Sequence, residues 1–167
     1  TVTGRIEKRN DWSSFSRLTV VIFARSISFA VCNAFIPLFW VKVLGRTPSE
    51  GSLALSLLFA IGVVGTYVGG LIADRTGFVK VMRVAITLMV PAMYFFVHST
   101  TALEGALFIV PVGLTLFAPY SAIVVLGQTF LGKNVGFASG VTLGLSITIG
   151  GLLTPLVGWA ADIWGIP

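Results

Sequence analysis

The sequence predicts an all-α membrane protein with five transmembrane helices, and three observations carry that expectation. Hydrophobic residues make up 56% of the 167 positions and charged residues 10%, with a mean hydropathy of +0.98. A soluble domain needs far more charge to cover its surface. Five apolar runs, at 18–41, 53–73, 79–97, 102–126 and 136–161, reach the length of about 20 residues that a spanning helix requires. These runs are apolar all round, with Gly and Pro scattered inside, and lack the roughly ten-residue alternation of barrel strands.

Residues 1–17 form a polar, basic lead segment, and the first span, 18–41, follows with Arg25, Cys32, Asn33 and Pro37 inside it. The second span, 53–73, carries Gly65 and Gly69 at four-residue spacing, the pattern that lets helices approach closely in lipid. It ends in a charged turn, Asp74-Arg75-Thr76-Gly77, with Lys80 and Arg83 just beyond, at the start of the third span. Spans three, four and five contain Pro91, Pro111, Pro119 and Pro155, each of which deletes an intrahelical hydrogen bond and, like Pro37, predicts a bend. In the fifth span, Gly136, Gly140, Gly144 and Thr148 continue a small-residue stripe with Ser146 and Gly150 beside it, expected to pack against a neighbouring helix. Trp12, Trp40, Trp159 and Trp164 fall near span ends and are expected as interfacial anchors.

The net charge of +5 does not indicate nucleic acid, because the basic residues sort by side of the membrane. With the amino-terminal segment in the cytoplasm, Arg5, Lys8, Arg9, Arg17, Arg75, Lys80, Arg83 and Lys133 lie inside, and only Lys42 and Arg46 outside. That is the positive-inside pattern. The skeleton Gly-x-x-Ala-Asp-x-x-Gly at Gly70, Ala73, Asp74 and Gly77 returns at Gly158, Ala161, Asp162 and Gly165. Three spans separate the copies, so they run in opposite directions. Inverted three-helix repeats in a six-helix half are a construction of secondary transporters, which hold substrate near the midplane between rocking pieces. Five spans are one short of six, and the chain runs from Thr1 to Pro167, so the expectation is a piece of a larger protein with the last helix missing.

The turn Gly70, Asp74, Arg75, Gly77 resembles the loop motif Gly-x-x-x-Asp-Arg-x-Gly-Arg-Arg/Lys of the major facilitator superfamily. Phe78 and Val79 stand where basic residues are usual, with Lys80 one position late. Three stretches are similar to the carboxy-terminal half of fosmidomycin-resistance-type efflux proteins: 66–77, then Ser121-Ala122-Ile123-Val124-Val125 with Gln128, and Val135-Gly136 through Gly140 to Ala161-Asp162. The resemblance implies that residues 1–17 are a central cytoplasmic loop and 18–167 helices seven to eleven of twelve, in a bacterial inner membrane. It implies efflux of a small drug-like or anionic compound by alternating access. Partners would be that substrate, the lipid bilayer and the missing amino-terminal half, with no cofactor and no nucleic acid. Import of a small anionic metabolite, or a non-transporting membrane receptor on the same fold, are the alternatives.

An intramembrane polar group is costly unless it faces a cavity or a partner, which makes Arg25, Asn33, Tyr120, Ser121 and Gln128 the candidate substrate-binding residues. Arg25 has two readings: its planar fork binds an anion or a carboxylate, or it snorkels to the headgroups. Asn33 either contacts substrate or bonds a neighbouring helix. The resemblance favours the residues of helix four, because helices at this position line the superfamily's central cavity. It also implies that Gly70, Asp74, Arg75, Gly77 and Lys80 form a gate latch, with Asp74 held by a neighbouring helix end and by cations; the other reading is a solvated turn with topogenic charge. Thr142, Ser146 and Thr148 are weaker candidates, since hydroxyls often bond the preceding turn. His98 is solitary in an outer loop, Cys32 is expected to be a packing residue, and Tyr94 an aromatic of the core or interface. No nucleophile and base pair up and no nucleotide loop is present, so the chain is not expected to be an enzyme or an ATP-driven pump.

Overall fold

The computed structural model describes residues 10–164, with only the backbone given for several residues of the last helix beyond 145. Six helices follow one another: α1 Trp12–Lys42, α2 Pro48–Thr76, α3 Phe78–Val97, α4 Ala102–Phe117, α5 Pro119–Phe130 and α6 Val135–Trp164. Helices α1, α2, α3 and the α4–α5 pair are each long and apolar enough to cross a membrane. With α6, 30 residues long, the five expected spans are all present as helices. They extend further than the apolar runs, because polar caps continue the helices past the hydrocarbon. Asp11 caps α1, and Thr47 with Glu50 and Thr101 with Glu104 form capping boxes at the starts of α2 and α4.

The fourth span is where the structure departs from the expected continuous helix. Helix α4 stops at Phe117 and α5 begins at Pro119, since Pro119 has no N–H to donate back along the helix. Pro37, Pro91, Pro111 and Pro155 lie within uninterrupted helices.

Helix α6 packs on α1 and α5, α2 packs on α4, and α3 packs on α4 and α5, while α6 touches neither α2 nor α3 among the described residues. Two main apolar cores result. One gathers Cys32, Ile36, Trp40, Leu58, Phe96 and Ile109, and the other Leu18, Ile22, Ile123 and Leu126 near the α1 start. The α1 start is tied to the α5–α6 turn: the Asp11 N–H donates to the Phe130 carbonyl at 2.7 Å, and the Lys133 N–H to Asn10 Oδ1 at 3.0 Å. Ala73, Val81 and Ala122 pack the α2–α3 turn at the same end. This basic end carries Arg17, Arg75, Lys80, Arg83 and Lys133, against Lys42 and Arg46 at the other. Arg5, Lys8 and Arg9 lie outside the described residues. Because α2 runs toward the basic end and α6 away from it, the two copies of the Gly-x-x-Ala-Asp skeleton sit on antiparallel helices; the second copy's side chains, apart from Trp159, lie outside the described residues.

Two packing expectations are corrected. Trp40 is only 4% exposed and stacks near Phe96 and over Gly105, so it is a core residue instead of an interfacial anchor. Trp12 and Trp159, at 52% and 65%, are exposed near the ends of α1 and α6, and the Trp164 side chain lies outside the described residues. The α6 stripe of Gly136, Gly140 and Gly144 meets no neighbour among the described residues: a Cβ at any of the three would find nothing within 4 Å. Close glycine packing among the described residues falls instead on α2, α4 and α5, at Gly62, Gly69, Gly105, Gly113 and Gly127.

Candidate functional site

The break in the fourth span organises the polar groups at membrane depth. Pro119 offers no N–H to the Thr115 carbonyl, and the end of α4 is the negative end of its helix dipole. Arg25, near the middle of α1, reaches this point. Its guanidinium Nη1 donates to the Leu116 carbonyl at a long 3.5 Å, and its Cζ lies 5.3 Å from the centre of the Tyr120 ring, within cation–π range. The side chain therefore extends sideways across the bundle. Headgroup snorkelling at the basic end, one of its two sequence readings, is not the conformation adopted. Arg25 lies about 20 Å along α1 from Trp12.

Of the other expected substrate residues, Tyr120 is thus brought to Arg25, and the remaining three are spread along the bundle. Ser121 follows Tyr120 but points about 100° away around the helix, toward α2. Its Oγ is buried with no hydrogen bond among the described residues, and a Cβ added at Gly70 would stand 3.3 Å from it. Gln128 Nε2 donates to Ser139 Oγ at 3.0 Å, joining α5 to α6. Asn33 Nδ2 donates to the Phe29 carbonyl of its own helix at 3.2 Å. Thr142, a weaker candidate, is buried, with its Oγ1 bonded to the Ser139 carbonyl at 3.2 Å; the Thr148 side chain is exposed, and that of Ser146 lies outside the described residues.

At the α2–α3 turn, Gly77 has φ +97°, a conformation that L side chains rarely adopt, and serves both as the end of α2 and the start of α3. Asp74, Arg75 and Lys80 are all exposed. None makes an ion pair among the described residues, where Arg46 with Glu50 at 3.9 Å is the one pair formed. Among the described residues α2 makes no contact with α6, so the start of α6 does not lie beside Asp74. The close helix contact falls one residue before the motif: a Cβ at Gly69 would lie 2.6 Å from Ala118 Cα and 2.8 Å from its carbonyl carbon, whereas the motif's first glycine, Gly70, meets only the Ser121 side chain.

Several functional-looking contacts escape sequence reasoning. The Leu116 carbonyl meets Arg25, and Asn10 and Asp11 strap α1 to α5–α6, only in three dimensions. Hydrogen bonds from the Ser14 hydroxyl, and then from its backbone N–H, hold the Asp11 carboxyl below the usual carboxylate range. The Thr47-x-x-Glu50 and Thr101-x-x-Glu104 boxes carry a readable signature. His98 is not solitary: its ring lies 4.3 Å from that of Tyr94, and its Nδ1 is 2.8 Å from the Tyr94 carbonyl.

The chain is 27% identical over 148 residues to the fosmidomycin resistance protein of Escherichia coli (strain K12), a match covering 88% of this chain and 36% of that relative. The chain thus spans about a third of the length of the curated relative it matches. No family model matches the chain, and no solved structure does.

Proposed function

We propose that this chain is part of a secondary transporter that exports a small drug-like or anionic compound by alternating access, with residues 18–167 forming helices seven to eleven of a twelve-helix major-facilitator-type protein. The observation that carries the reading is the Arg25–Tyr120 pair at the α4–α5 break, a fixed cation beside an interrupted helix deep in an all-helical apolar bundle. Broken helices and an intramembrane charge are what transporters use to bind substrate near the midplane. Similarity to a fosmidomycin resistance protein supports export as the direction, and the antiparallel arrangement of α2 and α6 fits inverted repeats.

In this reading Arg25 and Tyr120 contact substrate directly, and Asn33, Ser121 and Gln128 line the path above and below them. Ser121 contributes a hydroxyl that no described protein group engages. Gly70, Asp74, Arg75, Gly77 and Lys80 gate the basic end, with Asp74 meeting a helix of the transporter's other half, since α6 does not contact α2. The basic end faces the cytoplasm of a bacterial inner membrane.

The test is transport in everted membrane vesicles carrying the protein that contains this chain, with fosmidomycin as the first compound. Energised uptake that Arg25→Ala abolishes at unchanged abundance supports the proposal. Binding without accumulation of any compound would mark a receptor, and uptake only in right-side-out vesicles an importer.

A further inference from the structure

The side of the bundle formed by α2, α3 and α4 holds a cavity of about 340 Å³ that has no part in the Arg25 site. Its walls are Val68, Ile72, Val84, Ala85, Leu88 and Leu114, and its polar contributions come from Thr76 and Lys80 at the mouth and Thr115 within. A second hollow of about 790 Å³ shares Thr76, Lys80 and Val84 with it and adds Arg83 at the α2–α3 turn. The two adjoin at these three residues and together make a slot that is apolar along α2 and basic at the turn.

Two dimensions identify the occupant. The slot follows α2 from Gly65 to Thr76, about 16 Å of helix at 1.5 Å per residue, which matches one leaflet of a hydrocarbon core of about 30 Å. Its mouth lies at the end of α2 and start of α3, where the polar headgroups begin. There Lys80 and Arg83 stand three residues apart on one face of α3, both exposed and neither ion-paired among the described residues. Asp74, the one carboxylate of this turn, lines neither hollow. The one-position displacement of the basic residue to Lys80 matters here, because it rotates the ammonium about 100° around the helix and puts it on the slot face, leaving Phe78 and Val79 at the turn.

We infer that this slot is a binding site for an anionic phospholipid, one acyl chain lying between α2 and α3 against α4 and the phosphate headgroup held by Lys80 and Arg83. Basic pockets between helices select anionic headgroups, each Lys or Arg contributing on the order of five-fold in affinity. The apolar wall supplies the anchoring that a free phosphate lacks.

The experiment reconstitutes the protein in nanodiscs containing phosphatidylglycerol or phosphatidylcholine with the same diazirine-bearing acyl chain, and maps the crosslinked peptides after irradiation. Phosphatidylglycerol should crosslink to residues 65–88 at least five-fold more than phosphatidylcholine, and excess inorganic phosphate should not displace it. The double variant Lys80→Gln/Arg83→Gln should lower the phosphatidylglycerol signal to the phosphatidylcholine level. Leu88→Trp, at a half-exposed position that fills the slot and keeps both cations, should lower it as well, with helical content retained. Equal crosslinking by the two lipids would overturn the site. So would crosslinks confined to other helices, as expected if another segment of the transporter fills the slot, or a signal indifferent to both variants.

Discussion

Gly69 on α2 and Ala118 at the α4–α5 break are in backbone contact: a Cβ on Gly69 would stand 2.6 Å from the Ala118 Cα. With Gly62 against the Phe117 ring and Gly65 against Leu114, Gly69 ends a glycine seam along which α2 lies on the kinked span. In lipid, such contact replaces the hydrophobic drive that holds soluble helices together. It also covers the irregular backbone at the break, which membrane depth tolerates only where protein surrounds it.

Gly69→Ala should therefore destabilise the fold by about 1–3 kcal/mol, the usual penalty of overpacking, despite the better helix propensity of Ala. Gly70→Ala should be nearly neutral, because its new methyl would meet only the Ser121 side chain at 3.3 Å. Unfolding of the two variants in mixed detergent and SDS micelles compares them directly. Equal stability of Gly69→Ala and the parent would show that α2 is free to move away from the break.

Much of the architecture was legible because apolar length and charge sorting act through the solvent, which is uniform along the chain. The five helices, the basic end and the glycine of the α2–α3 turn follow from that. Partner choice is not a property of one helix, and there the reading failed. Small-residue stripes on α2 and α6 look alike in sequence, yet only the α2 stripe meets a helix. Trp40 has the position of an interfacial anchor but lies in a space opened by Gly105. Within the site, Arg25 and Tyr120 were both identifiable as costly intramembrane groups. Their pairing was not, because it depends on how the α4–α5 break meets α1, two elements far apart in sequence.

Arg25 and Tyr120 should behave as a coupled pair. Arg25→Lys keeps the charge and shortens nothing essential, but loses the planar fork that spans the Leu116 carbonyl and the Tyr120 face. Tyr120→Phe keeps the aromatic face, whereas Tyr120→Leu removes it, at about 0.5–2 kcal/mol for a cation–π contact away from water. Transport at equal membrane abundance should fall for Arg25→Lys and Tyr120→Leu and persist for Tyr120→Phe. Full activity of Tyr120→Leu would remove the ring from the site.

The Gln128 to Ser139 hydrogen bond joins α5 to α6 and is measurable on its own. Interhelical hydrogen bonds in membranes couple by about 0.6 kcal/mol on average and seldom above about 1.7. A double-mutant cycle of Gln128→Leu and Ser139→Ala, read by SDS unfolding, should return a value in that range. Additive effects would mean that the Gln128 and Ser139 side chains are not energetically coupled.

The sorting of cations to one end has a direct test in which buried sulfur is not a complication, since Cys32 is only 1% exposed and Cys32→Ser removes it. In that background, single cysteines at Thr76 and Lys133, both exposed at the basic end, should react with a membrane-impermeant maleimide only in everted vesicles. Ser99 would be a poor choice for the opposite side, because it is 5% exposed and its hydroxyl bonds the Phe96 carbonyl at 2.7 Å. Thr100, next to it and exposed, should label only from the outside of intact cells. By the positive-inside rule the cluster of basic residues would set this orientation, so adding Lys residues beside Thr100 should weaken it. Labelling of Thr76 and Thr100 from the same side would contradict a membrane-crossing α3, and labelling of Thr76 from outside intact cells would reverse the orientation of the whole bundle.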